Sequence, residues 1–200
     1  MLPDWMKVFF IFIICLLIGL ALFGNLLVCV AVCKDRYLRR KANSLYVSLA
    51  LADLILASVV MVCAVIEYHL GHWPFGLFLC KLYIGLDVMC STASILNLVA
   101  IACDRYIHIR RPFWYRDHCG KLSLALTIFL VWLASGLVSF IPIFLDWHKQ
   151  EGAAAEADQI RDGGCKIKFN VTYAIASSSL SFYLPTMVML CIYARLYSLA

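Results

Sequence analysis

The chain has 200 residues, of which 64% are hydrophobic and 14% are charged, and its formal net charge is +5. Soluble domains are closer to about half apolar and about one quarter charged, so the composition excludes an ordinary soluble globular protein. The remaining class is a protein that uses lipid as its solvent, and the grouping of the apolar residues into long runs favours it.

Five apolar runs are each long enough to cross a bilayer, because a membrane-spanning helix needs about 20 mostly apolar residues. The runs are too long for membrane strands and lack their period-two alternation. The sequence therefore predicts an all-α membrane protein. The predicted helices cover about 8–33, 44–67, 80–107, 122–145 and 171–196.

The basic residues predict how the helices are oriented. Lys and Arg concentrate in the connections 34–43 and 108–121, whereas the connection 68–79 contains neither. By the positive-inside rule, the two basic connections are cytoplasmic, so 68–79 and 146–170 are extracellular and the N-terminus is outside. Membrane orientation explains the basic residues, and we expect no nucleic-acid partner.

Three polar residues are predicted to lie at nearly the same depth in the first three helices. Asn25, Asp53 and Ser94 are each about 12–16 Å from the cytoplasmic end of their helix, at about 1.5 Å per residue. Polar groups in a membrane usually face the bundle interior. Their oxygens suit a small hard cation. Hydrogen bonding between helices without an ion is an equally good interpretation, and spacing alone leaves both open.

A second polar set is predicted near the outer surface. Asp87 lies about 10 Å from the outer end of the third helix, at a depth similar to that of Ser177, Ser178 and Ser181 on the fifth. No Lys or Arg lies in the membrane interior to pair with Asp87. A carboxylate opposite hydroxyls suits a ligand with an ammonium group and phenolic hydroxyls. Alternatively, each serine bonds only to the carbonyl four residues before it.

At the cytoplasmic end of the third helix stands the sequence Asp104-Arg105-Tyr106. In one interpretation, Arg105 extends towards the lipid headgroups and pairs with its neighbour. In the other, an ion pair breaks when the bundle opens to a cytoplasmic partner, which makes the tripeptide a two-state switch.

The outer side holds a predicted disulfide and a glycosylation sequon. Cys80 and Cys165 face an oxidising compartment and are a reasonable pair. Asn170 begins an Asn-Val-Thr sequon, but its closeness to the membrane argues against modification. Pro142 and Pro185 lie within predicted helices, where each should bend or locally open the helix.

Taken in order, the motifs of the whole chain resemble those of rhodopsin-like G-protein-coupled receptors. This resemblance implies a seven-helix bundle, of which the sequence up to Ala200 contains helices one to five, with the N-terminus extracellular. The motifs are Gly24-Asn25-Leu26-Leu27-Val28, Leu49-Ala50-Leu51-Ala52-Asp53-Leu54, Trp73-Pro74-Phe75-Gly76, Cys80, Asp104-Arg105-Tyr106, Trp132 and Phe182-Tyr183-Leu184-Pro185.

Within that family, the run from Asp87 to Leu98 resembles the aminergic receptors, in which the aspartate binds the ligand's ammonium group. The sequences Ser139-Phe140-Ile141-Pro142, Trp147-His148-Lys149 and Thr172-Tyr173-Ala174-Ile175 look most like the dopamine receptors that raise cyclic AMP. The segment 107–112 departs from their pattern, which puts the G-protein preference in doubt.

The resemblance implies specific roles for named residues. Val88 and Ser91 are expected to line the ligand site beside Asp87. The resemblance also implies catechol contacts from the three serines of helix five, a sodium site at Asp53 and Ser94, and a disulfide between the two outer cysteines. The implied partners are an amine ligand, a heterotrimeric G protein and the plasma membrane, which the chain crosses several times. Apart from a bound sodium ion, no cofactor is expected.

The leading functional prediction is a receptor for a biogenic amine, with dopamine favoured over serotonin, octopamine and adrenergic ligands. A second hypothesis is a truncated, non-signalling fragment that associates with intact receptors. A transporter or channel is disfavoured because no pair of broken-helix repeats is visible. An enzyme is not expected, because the sequence has no metal-ligand spacing, nucleophile motif or phosphate-binding loop.

Overall fold

The computed structural model describes residues 3–34, 43–145, 164–165 and 171–198. Within these residues the regular structure is entirely helical, and five helices are long and apolar enough to cross a membrane. The predicted all-α membrane fold is therefore confirmed. Helices one to four are Asp4–Lys34, Asn43–Leu70, Gly76–Arg110 and Lys121–Phe144, and helix five runs through Val171–Ser178, Ser179–Tyr183 and Leu184–Tyr197.

Helix three is the centre of the bundle. It packs against helices two, four and five, while helix one packs against helix two. Small side chains allow this close approach: Ala52 of helix two and Ala93 of helix three are both 0% exposed, and both pack against Val131 of helix four. Small residues at helix contacts are typical of membrane bundles, where the helix backbones come close together.

Large apolar side chains point outwards, the reverse of a soluble protein. Phe12 of helix one is 65% exposed, and Phe129 of helix four is 61% exposed. In water such surfaces would drive aggregation, whereas in a bilayer they contact lipid tails of similar polarity. The pattern of exposure thus agrees with the spanning prediction made from helix length.

Polar contacts hold helix four to its two neighbours. The Trp132 indole N–H donates to Ser48 Oγ at 3.0 Å, which joins helix four to helix two. The Ser139 hydroxyl donates to the Gly85 carbonyl of helix three. A bond between helices satisfies a hydroxyl or an N–H that lipid would leave without a partner.

Helices two and five each contain one π-helical turn, at Leu56–Val60 and Ser179–Tyr183. The turn in helix five comes immediately before Leu184 and Pro185. Proline has no backbone N–H, so it cannot donate the hydrogen bond that an α-helix requires at that position. The local opening expected at Pro185 therefore takes the form of a π turn. Pro142, by contrast, is accommodated inside helix four, close to its end at Phe144.

The predicted cytoplasmic connection 108–121 is largely helical in the structure. Helix three continues to Arg110, and a short connecting helix covers Pro112–His118. Pro112 suits the first turn of that helix, because a first-turn N–H has no partner within the helix.

At the outer side, Gly71 ends helix two with a φ of 72°, the left-handed conformation that favours glycine. Asn170 and most of the predicted outer connection 146–170 lie outside the described residues.

Candidate functional site

The outer ends of helices two and three are both bonded to one residue, Cys165, of the outer connection 146–170. The predicted disulfide between Cys80 and Cys165 is confirmed, with Cα atoms 5.6 Å apart. The backbone N–H of Cys165 also donates to Glu67 Oε1 at 2.7 Å. Trp73 packs with both cysteines and donates its indole N–H to the Gly76 carbonyl at 2.9 Å. One residue of the outer connection is thus bonded to two helices.

Deeper in the bundle than this disulfide, helices three and five line a cleft of about 330 Å³. All six residues predicted to contact a ligand line it: Asp87, Val88, Ser91, Ser177, Ser178 and Ser181. Four other residues complete the lining, namely Thr92, Ile95, Phe182 and Tyr183. The fold therefore brings the carboxylate and the serines into one cavity, although the sequence separates them by about 90 residues.

Asp87 is exposed to this cleft. No ion pair joins it to a basic side chain in the part of the chain that the structure describes. A carboxylate without a counter-ion in a membrane bundle is costly, and such groups are typically found at functional sites. A cationic ligand would supply the missing charge.

The hydroxyl of Ser181 is buried and has no hydrogen-bond partner among the residues that the structure describes. Other helical hydroxyls behave differently, since Ser135 donates to the Val131 carbonyl at 2.7 Å and Ser58 donates to the Leu54 carbonyl at 2.6 Å. A buried hydroxyl without a partner costs about 1–3 kcal/mol, so a partner for Ser181 would be stabilising.

The deeper polar set is assembled only in part. The Ser94 hydroxyl donates to Asp53 Oδ1 at 2.8 Å, which joins helices two and three. The amide of Asn25 instead donates to the Ala21 carbonyl of its own helix at 2.9 Å. Asp53 and Ser94 offer oxygen ligands, which fit the hard sodium ion that the family resemblance implies. Sequence reasoning assigned no role to Asn97, which is 0% exposed and whose Oδ1 accepts no hydrogen bond from any described residue.

At the cytoplasmic end, each residue of the Asp104-Arg105-Tyr106 motif has its own partner. Asp104 accepts a hydrogen bond from the Tyr115 hydroxyl of the connecting helix at 2.7 Å. Arg105 donates to the Tyr46 hydroxyl of helix two at 3.4 Å. Burial and the bond to Asp104 raise the pKa of Tyr115 to about 12, so its phenol stays protonated and keeps donating.

Tyr106, the third residue of the motif, accepts a bond from the Arg110 guanidinium one turn further along helix three. No ion pair within 4.0 Å joins Asp104 to Arg105. The structure thus places these side chains against three different neighbours. Sequence reasoning missed Tyr115, for which the sequence carries no signal, and Glu67, an acid that stands out at the end of an apolar run.

Comparison with known proteins connects this geometry to a family. The family model described as 7 transmembrane receptor (rhodopsin family) matches residues 24–200. The D(1B) dopamine receptor of Xenopus laevis is 45% identical over 186 residues, covering 92% of this chain and 40% of that protein. Dopamine receptor 1 of Drosophila melanogaster is 45% identical over 92% of this chain and 36% of its own length.

A mammalian relative gives the same result: the D(1A) dopamine receptor of Didelphis virginiana is 42% identical over 92% of this chain and 43% of its own length. The chain thus spans about two-fifths of the length of these curated relatives. Its five apolar helices and this kinship identify a multi-pass protein of the plasma membrane. The chain belongs to the rhodopsin family of seven-transmembrane receptors.

Proposed function

We propose that this chain forms the amine-recognition part of a receptor whose ligand is a catecholamine, with dopamine as the first candidate. The observation that carries the proposal is the cleft that Asp87 shares with Ser177, Ser178 and Ser181, where Asp87 has no ion pair with any described residue. Relatives at 42–45% identity are named dopamine receptors, which supports this choice of amine.

Each end of the ligand has a distinct partner. The ammonium group would donate to the Asp87 carboxylate, a charge-assisted bond that is strengthened in a site with little water. The ring hydroxyls would bond to the serines of helix five, of which Ser181 has no hydrogen-bond partner within the described part of the chain. Recognition at both ends selects for the length of the ligand and for the hydroxyls on its ring.

Receptor activation would follow from different affinities for two states. A ligand that binds helices three and five more tightly in one arrangement shifts the population towards it. Helix three carries Asp87 near its outer end and Asp104 and Arg105 near its inner end, so it links the cleft to the cytoplasmic side. In the complete receptor, the shifted state would be the one that binds a heterotrimeric G protein.

The ammonium contact is tested by Asp87→Asn in the complete gene product. Hydrogen bonds to charged groups contribute about 1.5–3 kcal/mol, so dopamine affinity should fall about 10- to 150-fold. Surface expression, measured by antibody labelling, should stay unchanged. If competition binding gives unchanged dopamine affinity for the variant, the assignment of Asp87 is wrong.

The catechol contact is tested by Ser181→Ala, with Ser179→Ala as the matched control. Ser179 lies two residues away but lines a different groove. Affinities for amines with no, one and two ring hydroxyls are compared, namely phenethylamine, tyramine and dopamine. We expect Ser181→Ala to cost about 1 kcal/mol with dopamine and almost nothing with phenethylamine. Equal losses for all three amines would contradict hydroxyl recognition.

Coupling is tested separately, by measuring cyclic AMP in cells that express the complete gene product. Dopamine should raise cyclic AMP in a dose-dependent way, and Asp87→Asn should shift that dose response to higher concentration. Binding without any cyclic AMP response would leave the amine assignment intact and contradict coupling to adenylyl cyclase.

A further inference from the structure

A second cleft, which contains two arginines, lies at the cytoplasmic end of helix three, where that helix meets the connecting helix. It has a volume of about 340 Å³ and is lined by Tyr106, Ile107, Arg110, Arg111 and Trp114. It shares no residue with the amine cleft near the outer surface. Its two arginines belong to the segment 107–112, which departs from the pattern of the dopamine receptors.

The positive charge of this cleft is not neutralised by the acidic groups described nearby. Asp104 accepts the Tyr115 hydroxyl, and Asp117 pairs with Arg116 at 3.5 Å. Arg110 donates to the Tyr106 hydroxyl, and its guanidinium carbon lies 5.6 Å from the centre of the tyrosine ring. Within the described residues, neither Arg110 nor Arg111 has a carboxylate partner, so both can bind an anion.

An apolar groove between helices three and five adjoins this cleft at Tyr106. Its volume is about 390 Å³, and Tyr106 lines both spaces. Its other lining residues are Met187, Val188, Cys191, Ile192 and Arg195. Helix five runs inwards towards Arg195, so the apolar residues lie deeper in the membrane than the charged ones. A charged cleft at the surface therefore leads to an apolar groove that points into the bilayer.

This polarity matches a phospholipid rather than a soluble anion. The planar guanidinium of arginine binds phosphate through two parallel hydrogen bonds. Acidic phospholipids are concentrated in the cytoplasmic leaflet, where the basic end of helix three lies. Trp114 is 44% exposed at this level, the position where indole rings sit between headgroups and acyl chains.

We propose that the two spaces form a binding site for an acidic phospholipid of the cytoplasmic leaflet. Arg110 and Arg111 bind the phosphate of its headgroup, Trp114 packs beside the glycerol region, and one acyl chain occupies the groove along Met187 and Val188. The site does not involve the amine cleft, so it stands whether or not the ligand is dopamine.

The headgroup contact is tested by native mass spectrometry of the complete protein in detergent, with phosphatidylinositol 4,5-bisphosphate, phosphatidylserine or phosphatidylcholine added. The double variant Arg110→Gln/Arg111→Gln is compared with a charge-matched control, Arg116→Gln/Lys121→Gln. The control removes the same charge from residues that do not line the cleft. We expect the first pair to weaken binding of acidic lipids by about tenfold to thirtyfold, and the control by less than about threefold.

Several outcomes would overturn the headgroup assignment. Equal affinity for phosphatidylcholine would mean that charge is not recognised, and equal losses in both double variants would mean that any surface charge suffices. Inositol trisphosphate, the soluble headgroup, should compete poorly, because the groove contributes only to the lipid. Competition as strong as that of the lipid would identify a free phosphate site instead.

The acyl-chain contact needs its own variant, because a charge change leaves it intact. Val188→Trp should fill the groove and reduce binding of the acidic lipids, whereas Val30→Trp on helix one should not. The two valines are 42% and 49% exposed, so each tryptophan replaces an outward-facing side chain. If the arginine pair instead weakened only G-protein activation and left lipid binding unchanged, the cleft would be a protein contact and the proposal wrong.

Discussion

The close contact between Gly85 of helix three and Phe140 of helix four predicts a measurable loss of stability for Gly85→Ala. A Cβ atom built on Gly85 of helix three would lie 2.6 Å from Phe140 Cε1 and 2.9 Å from Cδ1 on helix four. Nonbonded carbon atoms prefer separations of about 3.5–4.0 Å, so the overlap is about 1 Å. The ring cannot move away at no cost, because neighbouring Ser139 bonds to the Gly85 carbonyl and fixes the two helices.

The size of the effect follows from two opposing contributions. Overpacking in a close-packed interior costs about 1–3 kcal/mol. Replacing a glycine inside a helix with alanine returns up to about 1 kcal/mol. The net loss is therefore up to about 2 kcal/mol, which lowers the apparent Tm by up to about 8 °C for a chain of this size, at about 2–4 °C per kcal/mol. Asp87 lies two residues further along the same helix, so dopamine affinity should fall too.

Thermal unfolding in detergent, followed with a thiol-reactive dye, measures the change. Gly136→Ala is the control, because nothing lies within 4 Å of a Cβ at Gly136 and its only effect is on helix propensity. Phe140→Leu removes ring atoms from the contact, so it should restore part of the stability lost in Gly85→Ala. If Gly85→Ala is as stable as Gly136→Ala, the reasoning from the contact distance is refuted.

Three other predictions concern separate sites. Asp53→Asn should abolish any reduction of agonist affinity by added sodium chloride relative to choline chloride, and a sodium effect that persists would exclude the ion from this position. The pKa of the Cys119 thiol is raised, first by burial and then by the Asp104 carboxylate. It should therefore alkylate more slowly at pH 8 than a free thiol, and Asp104→Asn should increase that rate. Glu67→Ala removes the acceptor of the Cys165 N–H, so a bound amine should dissociate severalfold faster. Glu67→Gln keeps an acceptor oxygen and should change the dissociation rate less. Equal dissociation rates in the original protein and both variants would show that this bond does not hold the outer connection.

Much of the fold could be predicted because membrane helices leave a strong signal in the sequence. Length and apolarity located the five spanning helices, and the positions of the outer cysteines indicated their disulfide. The placement of Asp87 and the serines at one depth also followed from the rise of an α-helix. These inferences depend on one helix at a time, or on depth alone, and both can be read from a single sequence.

Features that depend on contacts between distant residues could not be predicted. Nothing in the sequence shows that Asp104 accepts the Tyr115 hydroxyl or that Glu67 accepts the Cys165 N–H. Depth alone places Asn25 at the level of Asp53, whereas in the structure its amide N–H donates to the Ala21 carbonyl of its own helix. Rotation and side-chain direction are decided by packing, which one sequence does not record.

The π turn at Ser179–Tyr183 has a consequence for how such receptors change over evolutionary time. One residue more or less in a helix rotates everything beyond it by about 100° around the helix axis. Loss of a single codon within this turn would restore a regular α-helix and swing Ser177 and Ser178 away from Asp87, while Arg195 on the inner part kept its place. The two ends of helix five can therefore diverge separately, so ligand preference can be altered without redesigning the surface that meets the cytoplasm.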